Sequence, residues 1–305
     1  MTDTPAFAVS PLPGGIGCEV TGLAIDRPIA PETAKALYAA WLDHGVMLFR
    51  LLGSSPEAQL RLSQCFGELE PHPIPRFRHP DHPDLILLGN ENGPSGPVYD
   101  FDGVAIHGRI PWHTDLAFKT TPNAGALLRM VRKPAQGGET GWLDTALAYD
   151  ALSDAMKARI ATLETVNSFR AGLEEMRHAN PGGVRLDQRR DSYPEFPLVA
   201  NPLVGTHPET GRKLLTISVL NIEAILGLEQ TASDALIGEL IAHLEQPRFS
   251  YIHDWQEGDM MLWDNRRMLH CALGHPVDQI RVIHRTTIMG AVATGREIEP
   301  KELAA

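Results

Sequence analysis

Cysteine is scarce in this sequence, and its scarcity excludes two kinds of stabilising site. The 305 residues include only Cys18, Cys65 and Cys271, and no Cys-x-x-Cys motif occurs. An odd number of widely separated cysteines predicts neither a disulfide framework nor a thiolate zinc site. We therefore expect a protein of a reducing compartment, the cytoplasm.

The chain also lacks a net positive charge and long hydrophobic runs. The net charge is −11 and is spread along the chain. Nucleic acids and anionic membranes are bound through basic surfaces, so we expect neither as a partner, although one local arginine can still bind a small anion. No apolar run approaches the ~20 residues that cross a bilayer. The first residues lack a basic segment followed by an apolar stretch, so we expect no signal peptide.

What the sequence does contain is many short apolar runs between turn residues. Helical periodicity is limited to residues 31–44, 56–66, about 145–161 and about 231–244. The remaining apolar runs are short and strand-like, particularly after residue 198. This pattern predicts a mainly β protein with flanking helices, a jelly roll (double-stranded β-helix, cupin-like). We expect a single domain over residues 1–305.

Two stretches have an irregular composition. Residues 89–111 are rich in Gly and Pro, which predicts a loop. Residues 171–197 are charged and also contain Gly and Pro. Because long irregular segments are often functional, we interpret 171–197 as an insertion or lid over a site.

Histidine followed two residues later by an acid occurs four times. These pairs are His79/Asp81, His82/Asp84, His113/Asp115 and His207/Glu209. Chance alone would give roughly one or two such pairs, so spacing does not choose among them. In three pairs the middle residue is proline, within turn-like sequence; only His113-Thr114-Asp115 lacks it and precedes strand-like sequence. Residues i and i+2 of a strand point to the same side and can bind one ion together.

A third metal ligand is available far along the chain. His270 lies in MLWDNRRMLHCA, between two apolar strand-like runs. Two histidines and one carboxylate form the facial triad of non-haem iron(II) oxygenases, which leaves positions open for a cosubstrate and dioxygen. Spacing alone leaves a second interpretation open, in which His113 caps a loop and His270 is a structural strand histidine.

Four ordered motifs then resemble a known family. WHTD, GGET, WDNRRMLHCA and RVIHRTTIMG are similar to the motif series of the taurine dioxygenase and phenoxyacetate-herbicide dioxygenase family. The resemblance extends from GCEVTGLAI near the N-terminus, through FGELEPHP, to the last strand. It implies a jelly roll with a metal at its open end, and the use of iron(II), 2-oxoglutarate and dioxygen.

The resemblance also assigns roles to individual residues. It implies that iron(II) is bound by His113, Asp115 and His270. It implies that Arg281 and Thr140 bind the distal carboxylate of 2-oxoglutarate, that Arg285 binds an anionic group of the substrate, and that His72 contacts the substrate. Arginine suits these roles because it forms bidentate, charge-assisted bonds to carboxylates.

The sequence departs from the taurine enzyme where that enzyme contacts its substrate. Arg109, Pro75 and Asn221 stand where the taurine enzyme has Asn, Tyr and Phe. Arg109 and Asn221 therefore become candidate substrate contacts of a more polar pocket, and taurine is not the expected substrate. We expect a small anion, namely a sulfonate, sulfate ester or carboxylate, and a homo-oligomeric enzyme.

Two other functions remain open from the sequence. One is a different metal-dependent jelly-roll enzyme, such as a hydrolase or isomerase, which would not need Arg281 and Thr140. The other is a non-catalytic protein that binds 2-oxoglutarate or another acid, which would not need the triad. The ligands alone also do not distinguish iron from zinc.

Overall fold

The computed structural model describes residues 7–50, 55–91, 93–94, 96–178, 182–187 and 194–303. Its strands are β1 (Ala8–Pro11), β2 (Cys18–Thr21), β3 (Val46–Phe49), β4 (Ile86–Gly89), β5 (Val98–Phe101), β6 (Val104–His113), β7 (Gly125–Arg132), β8 (Thr140–Asp144), β9 (Glu164–Asn167), β10 (Val184–Arg185), β11 (Leu198–Pro202), β12 (Val204–Thr206), β13 (Lys213–Leu215), β14 (Ile222–Ile225), β15 (Ser250–His253), β16 (Met260–Asp264), β17 (Met268–Pro276), β18 (Val282–Ile288) and β19 (Arg296–Ile298). Its α-helices are α1 (Pro31–His44), α2 (Pro56–Ser63), α3 (Thr145–Asp150), α4 (Asp154–Ile160), α5 (Gln230–Leu244) and α6 (Pro300–Leu303).

Two large sheets face each other and enclose part of the core. One has seven strands in the order β1-β2-β3-β16-β7-β18-β4, and the other has six in the order β10-β5-β6-β17-β8-β15. Between them, Trp142 of β8 and Met268 of β17 pack in one cluster with Met261 and Trp263 of β16. This is the mainly β architecture with flanking helices that the sequence predicts.

The central strands of the larger sheet are buried on both faces. Along β16, Met261 and Trp263 face the opposite sheet, while Met260 and Leu262 belong to the cluster beneath α1 and α2. Successive side chains of a strand point to opposite faces, so a sheet covered on both sides needs apolar residues at every position. This explains why the first four residues of MMLWD are all apolar and only the last, Asp264, is polar.

The helices agree with the sequence pattern, with some shorter bounds. Helix α1 begins at Pro31 and ends before Gly45, whose φ of 74° favours glycine. Ser55 caps α2 by accepting a hydrogen bond from the Ala58 amide. The predicted helix at 145–161 is interrupted, because Ser153 caps a new helix, α4. None of the helices in the described ranges is long and apolar enough to cross a bilayer.

The prediction of a loop over residues 89–111 is wrong for its second half. Strands β5 and β6 form a hairpin in which Phe101 pairs with Val104. The two residues between them, Asp102 and Gly103, have φ of 55° and 85°. Asp-Gly between β-forming residues is a strong hairpin signal, because a tight two-residue turn needs two positive φ angles. The hairpin carries the candidate ligand His113 at its far end.

The segment 171–197 is only partly irregular where the structure describes it. Residues 179–181 and 188–193 of the predicted insertion lie outside the described residues. Strand β10 pairs with β5 at the edge of the six-stranded sheet. The Tyr99 hydroxyl of β5 donates to Glu174 at 2.5 Å and accepts from the Leu173 amide at 2.9 Å. These contacts attach the first part of the segment to the β5–β6 hairpin.

Candidate active site

The three predicted metal ligands converge at one point. His113 is the last residue of β6, and His270 lies directly opposite it on β17. Asp115 follows two residues after His113. The Asp115 Oδ1 atom is 3.7 Å from His113 Nε2 and 3.6 Å from His270 Nε2. Among the described residues, these three form the one group of at least three His, Cys, Asp or Glu side chains that is close enough to hold a metal ion.

The hydrogen bonds of the histidines leave suitable nitrogens for a metal. His113 Nδ1 is 2.8 Å from the Pro111 carbonyl, which favours a proton on Nδ1 and a free lone pair on Nε2. His270 is buried, and its Nδ1 has no hydrogen-bond partner. Burial, followed by the nearby His113, holds the pKa of His270 well below its usual range, so its imidazole is neutral. Two imidazoles and a carboxylate are a donor set that fits a divalent transition metal.

The carboxylate of Asp115 is held by an arginine. Its Oδ2 accepts a hydrogen bond from Arg285 Nη2 at 2.5 Å, while Oδ1 faces the two histidines. Burial would raise the pKa of Asp115, but the Arg285 guanidinium holds it well below its usual range. The guanidinium also lies 5.5 Å from the centre of the Trp263 ring. Arg285 therefore keeps Asp115 ionised and directs one oxygen toward the histidines.

The main chain of Asp115 is fixed by a buried amide. Asn265 Oδ1 accepts from the Asp115 amide at 2.9 Å, and Asn265 Nδ2 lies 3.1 Å from the Asp115 carbonyl. The same Nδ2 donates to the Asn123 carbonyl at 3.0 Å. The next residue, Leu116, has a φ of 56°, which is uncommon for a residue other than glycine. Asn265 thus supports a tight turn that carries one of the candidate ligands.

Arg281 and the three candidate ligands line one cavity. Arg281 Nε donates to the Gly138 carbonyl at 3.2 Å, and its Nη2 is 3.4 Å from Thr140 Oγ1. Burial lowers the pKa of the Arg281 guanidinium to about 10, although Glu139 opposes this shift. No carboxylate within the described ranges forms an ion pair with Arg281. The site therefore contains a desolvated positive charge that fits an anionic ligand.

Gly138 is required for this approach of Arg281. Its φ is 82°, and a Cβ atom there would lie 3.1 Å from Arg281 Cδ and 2.8 Å from Pro134 Cγ. A larger residue would be strained in its backbone and would displace the arginine. This explains the second glycine of GGET in physical terms.

A cavity of about 410 Å³ joins these groups. The triad, Thr140, Arg281 and Arg285 all line it, and so do the predicted substrate contacts His72 and Arg109. Arg109 is exposed and lies 4.7 Å from the centre of the Phe101 ring. The sequence did not single out other residues of the wall, which include His107, His275, Ile110, Leu173 and Leu220.

Asn221 does not line this cavity. Its side chain is 3 % exposed, its Oδ1 accepts from Ser218 Oγ at 2.8 Å, and its Nδ2 donates to the Ser168 carbonyl at 3.0 Å. The neighbouring Leu220 faces the cavity instead. Pro75 is also absent from the cavity wall. The substrate contact expected of Asn221 is therefore left without structural support.

The other histidine–acid pairs of the sequence have structural contacts. His207 is buried, and its Nε2 lies 2.8 Å from Asp264 Oδ2. His82 Nε2 lies 3.2 Å from Glu57 Oε1, and His79 Nδ1 accepts from the Asp81 amide. The one pair without a middle proline, His113/Asp115, is thus the pair that lies beside a third ligand, His270.

Comparison with known proteins agrees with this geometry. The family model described as "Taurine catabolism dioxygenase TauD, TfdA family" matches residues 8–287. The chain belongs to this TauD/TfdA dioxygenase family. The enzyme class expected from the sequence, a 2-oxoglutarate-dependent dioxygenase, and its jelly-roll fold are confirmed.

Individual relatives are similar over nearly their whole length. An (S)-phenoxypropionate/alpha-ketoglutarate-dioxygenase of Sphingobium herbicidovorans is 32 % identical over 95 % of this chain and 98 % of its own. The solved structure of a taurine dioxygenase from Burkholderia xenovorans has a TM-score of 0.75 and 28 % identity, and covers 98 % of both chains. The structure of AAD-2 in complex with Mn(II) and N-oxalylglycine has a TM-score of 0.73 and 25 % identity, and covers 94 % of this chain and 99 % of that one.

Proposed function

We propose that this TauD/TfdA family member binds iron(II) through His113, Asp115 and His270 and hydroxylates a small anionic substrate. The substrate class is a sulfonate, a sulfate ester or a carboxylate. Where the hydroxylated carbon carries sulfur or oxygen, the product releases that group. When bound together, iron(II) and 2-oxoglutarate (alpha-ketoglutarate) direct the oxidising power of dioxygen to a substrate carbon, with succinate and carbon dioxide as co-products.

The observation that carries this proposal is the position of Arg281. It is a cation without an acidic partner among the described residues, and it lines the same cavity as the three candidate ligands. An arginine in such surroundings fits the distal carboxylate of 2-oxoglutarate, which Thr140 can also contact. A metal-dependent hydrolase would not need this cation, and a non-catalytic acid-binding protein would not need the triad.

The substrate anion is assigned to two arginines. Arg285 contacts Asp115 through Nη2 and, at 3.4 Å, through Nη1, but a guanidinium has five N–H groups, and Arg285 lines the cavity. It can therefore hold Asp115 and a substrate anion together. Arg109 forms no ion pair with a described carboxylate and offers a second positive charge at the exposed side of the cavity. His72 is half-buried beside these groups, and we retain it as a substrate contact.

The remaining wall suits an apolar substrate body. Ile110, Leu173 and Leu220 line the cavity next to the charged groups. The relative from Sphingobium herbicidovorans acts on phenoxypropionate, which combines an aromatic ring with a carboxylate. We propose a substrate of this general kind, with an apolar body and one anionic end.

The segment from residue 171 covers this cavity in our proposal. Ala171, Gly172 and Leu173 line it, and Tyr99 binds the same stretch through Glu174. Arg185 of β10 donates to Glu174 at 2.6 Å. Covering the site would keep water from the reacting groups, which protects a reactive oxidant. We propose that residues 1–305 act as one dioxygenase domain with this cover.

Cell location and assembly follow from the sequence and the family resemblance alone. We propose a cytoplasmic homo-oligomer that binds no nucleic acid and no membrane. Sedimentation equilibrium of the purified protein, compared with the mass of one chain of 33.4 kDa, measures the assembly. A mass of one chain would contradict the oligomer.

The proposed function is tested by succinate formation with a panel of anionic substrates. We expect succinate release to require iron(II), 2-oxoglutarate and one panel member, and zinc not to replace iron. The Asp115→Ala variant should lose at least about a hundredfold in rate, since even partners behind a metal ligand are worth 10- to 100-fold. Asp81→Ala, at the exposed acid of another histidine–acid pair, should keep the activity. Full activity of Asp115→Ala would overturn the metal assignment.

A further inference from the structure

One buried tryptophan differs from the others in its indole N–H. Trp41, Trp142, Trp255 and Trp263 are all at most 1 % exposed. Trp41, Trp142 and Trp263 have indole nitrogens without a hydrogen-bond partner. Trp255 instead donates its N–H to Thr140 Oγ1 at 3.0 Å. The fold thus leaves three indole N–H groups unbonded in the core and directs the fourth at a residue of the active-site cavity.

This contact restricts the Thr140 hydroxyl. Its oxygen lies 3.0 Å from Trp255 Nε1 and 3.4 Å from Arg281 Nη2. Tryptophan and arginine are donors only, so both contacts use lone pairs of the hydroxyl oxygen. The hydroxyl proton must therefore point elsewhere, and no described residue accepts it. Thr140 lines the cavity, so the open direction for that proton is the cavity itself.

Trp255 is itself held firmly. Its ring packs edge-on against Trp142, with ring centres 6.2 Å apart, and against His253, with ring centres 4.8 Å apart. His253 Nε2 is 3.0 Å from Asp259 Oδ2, and its Nδ1 is 2.9 Å from the Tyr251 hydroxyl. The indole therefore has one orientation, and its N–H is a fixed donor.

We propose that Trp255 is a positioning residue, which keeps the Thr140 hydroxyl as a hydrogen-bond donor to the distal carboxylate of 2-oxoglutarate. The inference rests on the proposed binding of that carboxylate at Arg281 and Thr140. Without Trp255, the hydroxyl could turn its proton away and present a lone pair to the anion. A donor fixed in advance binds an anion more tightly than one that must first reorient.

The test uses a matched pair of substitutions. Trp255→Phe removes the donor, and Trp142→Phe makes the same change in the same cluster at an indole that has no hydrogen bond. Binding of N-oxalylglycine and 2-oxoglutarate to the Mn(II)-loaded protein is measured by calorimetry. We expect Trp255→Phe to weaken both by about five- to tenfold, the effect of one hydrogen bond between neutral groups, and Trp142→Phe by less than about twofold. Turnover should show a raised KM for 2-oxoglutarate with kcat nearly unchanged.

Two further measurements separate positioning from general damage. 2-Oxobutyrate has no distal carboxylate, so its binding should be the same in Trp255→Phe as in the parent protein. In a Thr140→Val background, Trp255→Phe should have no further effect on 2-oxoglutarate. Equal losses with both acids, additive losses with Thr140→Val, or equal effects of the two tryptophan variants would each overturn the inference.

A third variant covers a failure to fold. If Trp255→Phe does not fold, incorporation of 3-benzothienylalanine at position 255 replaces the N–H by sulfur in a ring of the same shape, and the same binding loss is expected. Binding to the parent protein and to Arg281→Gln distinguishes a failure of the proposed function from a failure of the inference on Trp255. If neither acid binds the parent, or if Arg281→Gln does not weaken 2-oxoglutarate, then the proposed cosubstrate site is wrong. If these behave as expected and Trp255→Phe does not, only the inference on Trp255 is wrong.

Discussion

The inner wall and the outer rim of the cavity are built in different ways. The inner wall (His113, His270 and Thr140) lies on central strands of the six-stranded sheet and is at most 8 % exposed. The outer rim (His72 and Arg109) lies on a loop and at an exposed position of β6. Residues on paired strands are fixed by the sheet, whereas a loop residue such as His72 can vary with little cost to the fold. Arg109 lies on a paired strand, but its exposed side chain can also change without loss of core packing.

The hydrogen bonds of the two regions also differ in the sequence distance that they span. Near the inner wall, Asp115 is bound by Arg285 and Asn265, which lie 170 and 150 residues away in the sequence. At the rim, His72 accepts from the amide of Ile74, two residues away, at 3.0 Å. The reaction machinery therefore depends on the complete fold, while the rim contact is local. This difference predicts that substitutions at the inner wall affect chemistry common to the family, and those at the rim affect the choice of substrate.

Among variants that keep the three metal ligands, the largest effect is expected at Arg281. Arg281→Gln should raise the KM for 2-oxoglutarate by roughly 30-fold or more, since losing one partner of a buried charge pair costs about 2 kcal/mol or more. Arg132→Gln, an exposed arginine on the neighbouring strand β7, is the control and should leave this KM unchanged. Steady-state succinate formation at varied 2-oxoglutarate measures both. A rise only in the KM for the substrate would instead place Arg281 with the rim.

A smaller effect is expected at Asn265, which contacts the main chain of the candidate ligand Asp115. Asn265→Ala leaves the main chain of Asp115 without its two contacts, so we expect about tenfold weaker metal binding and a loss of about 2 kcal/mol in the free energy of unfolding. Metal titration monitored by tryptophan fluorescence and urea unfolding measure the two quantities.

Asn221 offers a matched control for Asn265. Its amide is similarly buried and is bound on both sides by Ser168 and Ser218. It reaches the loop of His113 and Asp115 only through Ser218, whose Oγ accepts from the Thr114 amide at 3.2 Å. Asn221→Ala should therefore lower stability by a similar amount and weaken metal binding less than Asn265→Ala does. A change in substrate KM without a loss of stability would restore the sequence-based prediction that Asn221 contacts the substrate.

The contrast between wall and rim also explains what the sequence could predict. The triad was found from the missing proline of His113-Thr114-Asp115 and a distant His270, and Arg281 from the motif resemblance. These positions are recognisable because the chemistry restricts which residues can stand there. The β5–β6 hairpin was missed although Asp102-Gly103 carries its signal, because the surrounding glycines and prolines favoured a loop.

Other features carry no signal in the sequence. Whether Asn221 or Leu220 faces the cavity depends on a rotation of one residue at a strand end, which motif alignment does not determine. The hydrogen bond from Trp255 to Thr140 joins residues 115 positions apart and depends on side-chain packing in three dimensions. Such contacts follow from the fold and cannot be derived from spacing.

The smallest effect is expected at the rim, at Arg109. Its guanidinium is exposed and packs on the Phe101 ring, so solvent screens its charge. Arg109→Gln should raise the substrate KM by only about two- to fivefold and leave the KM for 2-oxoglutarate unchanged, because exposed ion pairs contribute up to about 1 kcal/mol. Raised salt should reduce the difference between variant and parent, since screening weakens the same interaction in the parent. Kinetics with the best panel substrate at two ionic strengths measure this. An effect as large as that of Arg281→Gln, and independent of salt, would show that Arg109 belongs with the inner wall, where an anion is bound away from water.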